Sequence, residues 1–366
     1  MRAAVLEESE GPLVLTDDVE LEPPRFGELV VDVAACGVCH SDLSAIDGSF
    51  PVPLPVILGH EAAGVVTGVG PGVTSLAEGD RVVVAPSAPC GHCYFCMRGQ
   101  PGVCVTTQTV ATFAMPDGSS RLSRHGEVVH RGLGVAAFAD QVVVEESAAV
   151  PLPDGVPLEI ACLLGCGVQT GIGAVINTAR VEPGATVLVV GLGGVGQAIV
   201  LGAQLAGASR VIVVDPLDER RGLAGRLGAT DTIDPAVVDV VSAVHGYTGG
   251  IGVDYAFEAV GRSDLLLTCI TATRPGGTVV MVGAPALDDT LVLDAPVLFG
   301  AAEKRLVGCF LGSCLPRRDV PKLLALWERG RLDLEALVTT YRPFHEVNEA
   351  LADLQAGRGV RTVLRY

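Results

Sequence analysis

The sequence predicts a mixed α/β protein of two domains, a β-rich first half followed by a doubly wound parallel sheet. Three observations carry that expectation: the length, a change of hydrophobic period near Pro157, and strand–helix alternation from Thr186 onward. At 366 residues the chain exceeds what one ordinary core holds. It is 49% hydrophobic and only 18% charged, which excludes the disordered class. A formal charge of −17 argues against a nucleic-acid surface, where phosphates would be repelled.

The first 160 or so residues read as short β segments. LVLTDDVEL, ELVVDVAAC, AAGVVTGVG, DRVVVAP and ADQVVVEES each alternate or run apolar between Gly, Pro or Asp. Dense turns at irregular spacing point to a partly open barrel or curled sheet. Pro51, Pro53 and Pro55 force an extended approach to His60. Leu158–Thr178 reads as a helical pair broken by Gly165, Gly167, Gly171 and Gly173. Strands are then expected at 186–190, 210–214, 232–233, 253–258 and 278–283. Helices at 194–205, 219–227, 237–248 and 264–273 separate them. Beyond Phe310 the pattern turns helical (320–329, 334–337, 346–355) and ends in an apolar strand from Arg361, expected to return to the first domain.

The opening stretch MRAAVLEESE lacks an apolar core of signal-peptide length. The most apolar run, 185–205, is broken by Gly191, Gly193, Gly194 and Gly196, as in a buried strand, turn and helix. Eleven cysteines without an export signal point to metal ligation or free thiols in a cytoplasmic protein with no membrane partner.

The most specific local pattern is Cys90-Gly-His-Cys93-Tyr-Phe-Cys96 followed by Cys104. Two-residue gaps let a tight turn aim successive sulfurs at one point, so the four thiols can close a tetrahedral zinc shell. Such a shell has no open position for substrate and is expected to staple the fold. His92 lies inside it but is surplus to four sulfurs.

The second motif, Gly191-Leu-Gly193-Gly194-Val195-Gly196, follows an apolar strand and opens a helix. Its glycines permit a tight turn and close approach of a pyrophosphate to the helix N-terminus. Asp215 ends the next strand, where an acid binds ribose hydroxyls and repels a 2′-phosphate. A Rossmann domain that prefers NAD to NADP is expected. A third group is dispersed: Cys39-His40-Ser41-Asp42, Gly59-His60-Glu61, and Cys166. Taken singly, Cys166 reads as a buried small side chain and His60 as a satisfied core histidine, because only a fold can join them.

Together Gly37-Val-Cys39-His40-Ser41-Asp42, Gly59-His60-Glu61, the four-cysteine lobe, Gly165-Cys166-Gly167-Val-Gln-Thr170-Gly171 and the Gly191–Gly196 turn resemble the zinc-dependent alcohol dehydrogenases of the medium-chain dehydrogenase/reductase superfamily. The resemblance covers essentially the whole chain. It implies a GroES-like catalytic domain over 1–167 and 311–366, an NAD-binding Rossmann domain over 168–310, and chemistry in the cleft between them. It also implies two zinc ions per chain. Cys39, His60 and Cys166 would hold the catalytic ion and leave one position open for the substrate oxygen, while the lobe would hold the structural ion.

By the same resemblance Ser41 takes the alcohol proton, Asp42 orients His60, and Glu61 lies behind the metal. Thr170 and Val195 position the nicotinamide, His40 and Arg361 approach the pyrophosphate, and Arg220 approaches the adenosine ribose. The implied reaction interconverts an alcohol and an aldehyde or ketone, and the long segment from Thr106 to His130 implies a homodimer through the cofactor domain.

Two positions depart from the family. Ser44 stands where many members end the proton relay in histidine. Gln108 stands where the glutathione-dependent formaldehyde branch carries the arginine that binds the substrate carboxylate. Against that, Met115-Pro-Asp-Gly-Ser-Ser-Arg121 and Gly312-Ser-Cys-Leu-Pro316 resemble that branch and the mycothiol-dependent enzymes, so a thiol-adduct substrate is the second reading. Pro86, near a position where relatives place an aromatic wall, hints at a roomier pocket. A zinc-stabilised binding protein without activity is the alternative outside enzymes; it predicts one zinc ion, not two.

Overall fold

The computed structural model describes residues 1–87 and 89–366, with side chains throughout except at 107–109. Residue Gln108 therefore lies outside the described side chains. The chain forms two compact units. Met1–Gly167, Leu315–Arg329 and Val338–Tyr366 make the first; Val168–Cys314 and Gly330–Leu337 make the second.

The first unit is β-rich. One six-stranded sheet runs in the order Val14–Thr16, Ala3–Leu6, Val56–Ile57, Glu127–Arg131, Leu122–Arg124, Glu20–Leu21. A seven-stranded sheet runs Ala149–Pro151, Arg81–Val84, Glu61–Val69, Glu28–Gly37, Arg361–Arg365, Val338–Pro343, with Gln141–Glu145 also paired to Glu28–Gly37. Leu6, Leu29, Ile57, Leu58 and Phe138, all fully buried, share one apolar core with Val84 and Val144. Each such side chain contributes about 1.5–3 kcal/mol of burial. The register places Gly37 opposite Glu61. That pairing brings Cys39, just beyond one strand, beside His60, just before the next. The last strand, Arg361–Arg365, lies antiparallel to the same strand, Val363 facing Gly37.

The second unit contains a wholly parallel six-stranded sheet in the order Asp231–Ile233, Arg210–Val214, Thr186–Val190, Val253–Glu258, Thr273–Met281, Arg305–Gly308. The chain starts at the third place, winds outward to one edge, then returns and winds to the other. Val187, Leu188, Val189, Val211, Ile212 and Val213 are fully buried, as expected of strands covered on both faces.

Several local expectations change. No helix was expected at Cys39–Asp42, yet one begins at His40 and runs to Ile46, with Cys39 as its N-cap. The expected helical pair at 158–178 is a chain of short pieces, with Cys166 in the break at non-helical φ −138° and ψ −73°. The helix expected from Val237 starts at Val240, because Asp239 caps it by accepting from Ser242 N. The helix expected from Val320 begins at Pro316, where proline fits the first turn because its missing N–H would have no partner there. Strands Arg305–Gly308 and Val338–Pro343 were not expected at all. Among the described residues, no single helix is long and apolar enough to cross a membrane.

Candidate metal centre and dinucleotide cradle

In the first unit, potential ligand atoms of Cys39, His60, Glu61 and Cys166 all lie within 4.8 Å of one another, and all four residues are buried. The fold therefore joins three side chains that spacing could not. Asp42 sets the local geometry. Fully buried, it accepts from Cys39 N (3.1 Å) and Gly59 N (3.0 Å), and its Oδ1 lies 3.2 Å from His60 Nδ1. With Nδ1 engaged, His60 presents Nε2 to the centre, the usual arrangement for a ligating imidazole.

The charges in this pocket depend on each other. The Cys166 thiol hydrogen-bonds Cys39 and lowers its pKa well below the ordinary thiol value, against the effect of burial; Arg361 and His60 add to the lowering. The same bond, with burial, pushes Cys166 well up. Burial opposes charge on His60, but Asp42 and Cys39 outweigh it and raise its pKa well above normal. Burial lifts Glu61 to about 7 despite the neighbouring Arg361 guanidinium.

Glu61 Oε1 accepts from Gly167 N (3.1 Å) and pairs with Arg361 Nη2 (3.2 Å), while its Oε2 is buried with no partner. Glycines make the room: a Cβ on Gly37 would collide with Glu61 Oε2, and one on Gly167 with Arg361 Nη2. A buried carboxylate that keeps one oxygen without a partner, in the same cluster as two sulfurs and an imidazole, fits a bound cation. This donor set suits zinc, with Cys39, His60 and Cys166 as ligands and Glu61 at the back of the site.

The lobe fits zinc on distance. Sγ of Cys104 lies 3.5 Å from that of Cys90 and 3.7 Å from that of Cys93, and all four sulfurs fall within 4.8 Å of one another. Zinc–sulfur bonds of about 2.3 Å set tetrahedral edges near 3.8 Å. Short 3₁₀ turns at Cys96–Arg98 and Pro101–Val103 direct the thiols inward, the first closing on Gly99 in the left-handed region at φ 73°. Backbone N–H groups, that of Cys96 foremost, draw the Cys93 thiol down to about 6, and burial pushes Cys96 up to about 12. His92 is exposed, its Nδ1 2.8 Å from Cys90 O.

In the second unit the glycine turn joins strand Thr186–Val190 to helix Gly194–Leu205. Gly191 sits at φ 91°, and a Cβ there would strike Val260. A Cβ on Gly196 would strike Gly191 O, which keeps helix and turn in contact. Gly193 faces open space, with nothing within 4 Å of its absent Cβ. That opening is where a pyrophosphate can approach the helix N-terminus.

Asp215, 4% exposed, ties the turn to its own strand end. Its Oδ2 accepts from Leu192 N (2.8 Å), its Oδ1 from Leu217 N (2.9 Å), and Arg220 Nη1 stands 4.0 Å from Oδ2. Thr170 lies on helix Gly167–Gly173, which meets the glycine-turn helix where Gly171 approaches Ala198; its Oγ1 is buried with no partner. Gly193 and Val195 are half-buried while Gly191, Gly194 and Gly196 are buried. These features fit a dinucleotide.

The remaining candidates fall in the first unit. Ser41 Oγ lies 3.8 Å from Cys39 Sγ, and His40 is exposed at the first turn of the same helix. Arg361 is buried, donating to Val38 O (3.1 Å) and paired with Glu61 (3.2 Å). The resemblance implied Glu61 behind the metal; spacing alone gave no sign of it, and the Gly37–Glu61 register is what sets its carboxylate beside the potential ligands.

Two family profiles match this chain: an alcohol dehydrogenase GroES-like domain over residues 25–154 and a zinc-binding dehydrogenase domain over 194–329. An alcohol dehydrogenase zinc-binding domain protein from Burkholderia ambifaria is 38% identical, over 100% of this chain and 98% of that one, with a TM-score of 0.93. Benzyl alcohol dehydrogenase from Acinetobacter calcoaceticus is 33% identical with the same coverage and TM-score. A zinc-binding dehydrogenase from Sinorhizobium meliloti 1021, bound to NADP, is 26% identical over 100% and 99%, with a TM-score of 0.82.

Proposed function

Because this chain belongs to the zinc-dependent alcohol dehydrogenases of the medium-chain dehydrogenase/reductase superfamily, we propose that it oxidises primary alcohols to aldehydes, and reverses the reaction, with NAD. The observation that carries the proposal is the buried convergence of Cys39, His60 and Cys166, with a carboxylate that keeps one oxygen without a partner behind them. When bound, zinc supplies a Lewis acid and NAD a hydride acceptor. The protein's residues do the rest. Cys39, His60 and Cys166 hold the metal, and Asp42 fixes the His60 tautomer through Nδ1. Ser41, beside Cys39, receives the alcohol proton. With serine at position 44 the proton then leaves through water.

Asp215 supports NAD over NADP, since a 2′-phosphate would meet a buried carboxylate. The likeness to a benzyl alcohol dehydrogenase supports aromatic primary alcohols as the first substrates to try. The thiol-adduct reading has less support. Arg121, which closes the Met115–Arg121 motif, is 3% exposed and held by Glu28 (2.6 Å) and Asp117 (2.8 Å), so its charge is already matched by these carboxylates. Eleven free cysteines support a reducing compartment, the cytoplasm.

We further propose a homodimer through the edge strand Arg305–Gly308. The test of function is a nicotinamide-linked screen of primary, secondary, aromatic and long-chain alcohols, with formaldehyde plus glutathione or mycothiol as a control arm. Benzyl alcohol with NAD is expected to turn over fastest, and metal analysis to give two zinc ions per chain. Equal rates with NADP would refute the role given to Asp215. Strict thiol dependence would replace the alcohol reading, and one zinc ion without turnover would favour the binding protein.

A further inference from the structure

A buried glutamine lies under the glycine turn, and the proposed reaction leaves it without a role. Gln197 is the fourth residue of helix Gly194–Leu205 and is fully buried. Its Nε2 donates to Leu192 O (3.2 Å), inside the turn, and to Arg220 O (2.9 Å), on helix Asp218–Arg226. Both partners are carbonyls, so only the NH₂ side of the amide can face them. That orientation leaves Oε1 buried with no partner. An apolar side chain of the same length would fill the space without an orphaned acceptor, so packing does not explain the amide.

What the amide holds explains it better. A trans peptide points its C=O and N–H to opposite sides, and the Leu192–Gly193 bond is trans. With Leu192 O drawn inward to Gln197, the N–H of Gly193 points away from the interior, at a residue with open space around its absent Cβ. Asp215 fixes the preceding peptide of the same turn by accepting from Leu192 N (2.8 Å). The second N–H of the amide acts on the neighbouring helix. Asp215 holds the entry to that helix at Leu217 N (2.9 Å), and Gln197 holds its first turn at Arg220 O. Tied at these two points, the helix keeps Arg220 Nη1 4.0 Å from Asp215 Oδ2.

We propose that Gln197 is a positioning residue for the ADP half of the dinucleotide: one N–H turns Gly193 N–H toward the pyrophosphate, and the other keeps Arg220 beside Asp215 at the adenosine ribose. The proposal rests on the dinucleotide reading given above. Gln197 acts through two backbone carbonyls and touches no part of the ligand itself. Methionine is the informative replacement, because it keeps the length and unbranched shape while removing both donors. If the competent arrangement falls to about a fifth of the population, the apparent Kd rises about fivefold.

Gln204 provides the control. It lies two helical turns further along the same helix, is exposed, and donates to Gly228 O (2.5 Å), just past the far end of helix Asp218–Arg226. It therefore joins the same two elements away from the glycine turn. The experiment uses zinc-loaded wild type, Q197M and Q204M, with a melting curve for each. ADP-ribose is titrated by calorimetry, and NADH and reduced nicotinamide mononucleotide, which lacks the adenosine half, by fluorescence. Expected for Q197M is a rise of about fivefold in Kd for ADP-ribose and NADH, with the Kd for the mononucleotide unchanged. Q204M should bind all three as wild type does, even where its melting temperature falls as far as that of Q197M. An unchanged Kd for ADP-ribose in Q197M overturns the proposal. So does an equal rise for the mononucleotide, or a Kd in Q204M that rises in step with its lost stability. Where Q197M does not fold, Q197N decides: its amide stops one carbon short of the two carbonyls, and wild-type affinity for ADP-ribose there overturns the proposal. Failure of wild type itself to bind NADH overturns instead the dinucleotide reading, so the two failures are distinct.

Discussion

Asp42 shows how much of the metal centre depends on a residue that need not touch the metal. Its carboxylate caps the helix at Cys39, holds Gly59 N, and engages His60 Nδ1, so two of the three proposed ligands take their orientation from it. Asp42→Asn keeps the size but leaves an acceptor on only one side. Zinc affinity at this centre is expected to fall about 10–100-fold, measured by chelator competition, while the cysteine lobe keeps its ion. Loss of both ions together would instead show a general collapse. At this scale the sequence was partly legible. Cys90, Cys93, Cys96 and Cys104 declare themselves because two-residue gaps need only a local turn. Cys39, His60 and Cys166 do not, because a strand register and a helix break bring them together; resemblance pointed to them where spacing could not. The pairing of Arg361 with Glu61 left no local trace at all.

At the scale of elements, the doubly wound half is easiest to read, since its strands are buried on both faces and its helices keep one apolar face. Edges are harder. Arg305–Gly308 is four residues long and mostly exposed, so it lacks the apolar run that marks its neighbours. The Pro316–Glu328 helix was read short at its start, and its first turn offers a pH test. Asp319 accepts from Leu315 N (2.9 Å) and pairs with Arg318 (2.7 Å). Burial opposes its ionisation, but those partners outweigh it and hold its pKa below the ordinary 3.8. A carboxyl depressed on folding adds stability above its unfolded pKa and loses it as pH falls through the folded value. Asp319→Asn should therefore cost about 1 kcal/mol from pH 5 to 8, and the difference should vanish on acidification below pH 3.8. A difference constant down to the acid limit would mean packing, not charge.

The lobe offers the second element-scale prediction. Cys96→Ser removes one of four sulfurs while the apolar core of the first unit stays intact. Zinc content should fall from two ions toward one, and proteolysis should open near 90–104 first. Turnover should persist in freshly prepared enzyme and decay as the lobe unfolds. Immediate loss of turnover with both ions retained would move the lobe from support to chemistry.

For the whole molecule, the sheet of the second unit poses a question that its own chain does not answer. One edge strand, Asp231–Ile233, is three residues long and guarded by charge, Asp231 pairing with Arg210 at 3.4 Å. Among the described residues, no further strand lies beside the opposite edge, Arg305–Gly308, in the sheet order. On this strand and on the helix just before it, Pro296–Ala301, apolar side chains are exposed: Leu306 at 39%, Leu298 at 68% and Val297 at 72%. Although Arg305 puts a charge at its start, an unpaired edge that exposes apolar residues invites another chain. A second copy meets the requirement with the same surface on both sides, the commonest arrangement for homo-oligomers. The net charge of −17 works against association in general, which favours a partner that pairs backbone groups and apolar surface over one held by charge. Leu298→Asp would place two like charges near the proposed two-fold contact. Light scattering is expected to give a dimer for wild type and a monomer for L298D, with Kd raised at least about 100-fold, a cost near 3 kcal/mol. A wild-type tetramer, or an L298D variant that stays dimeric, would sink this interface while leaving the assignment of the metal centre untouched.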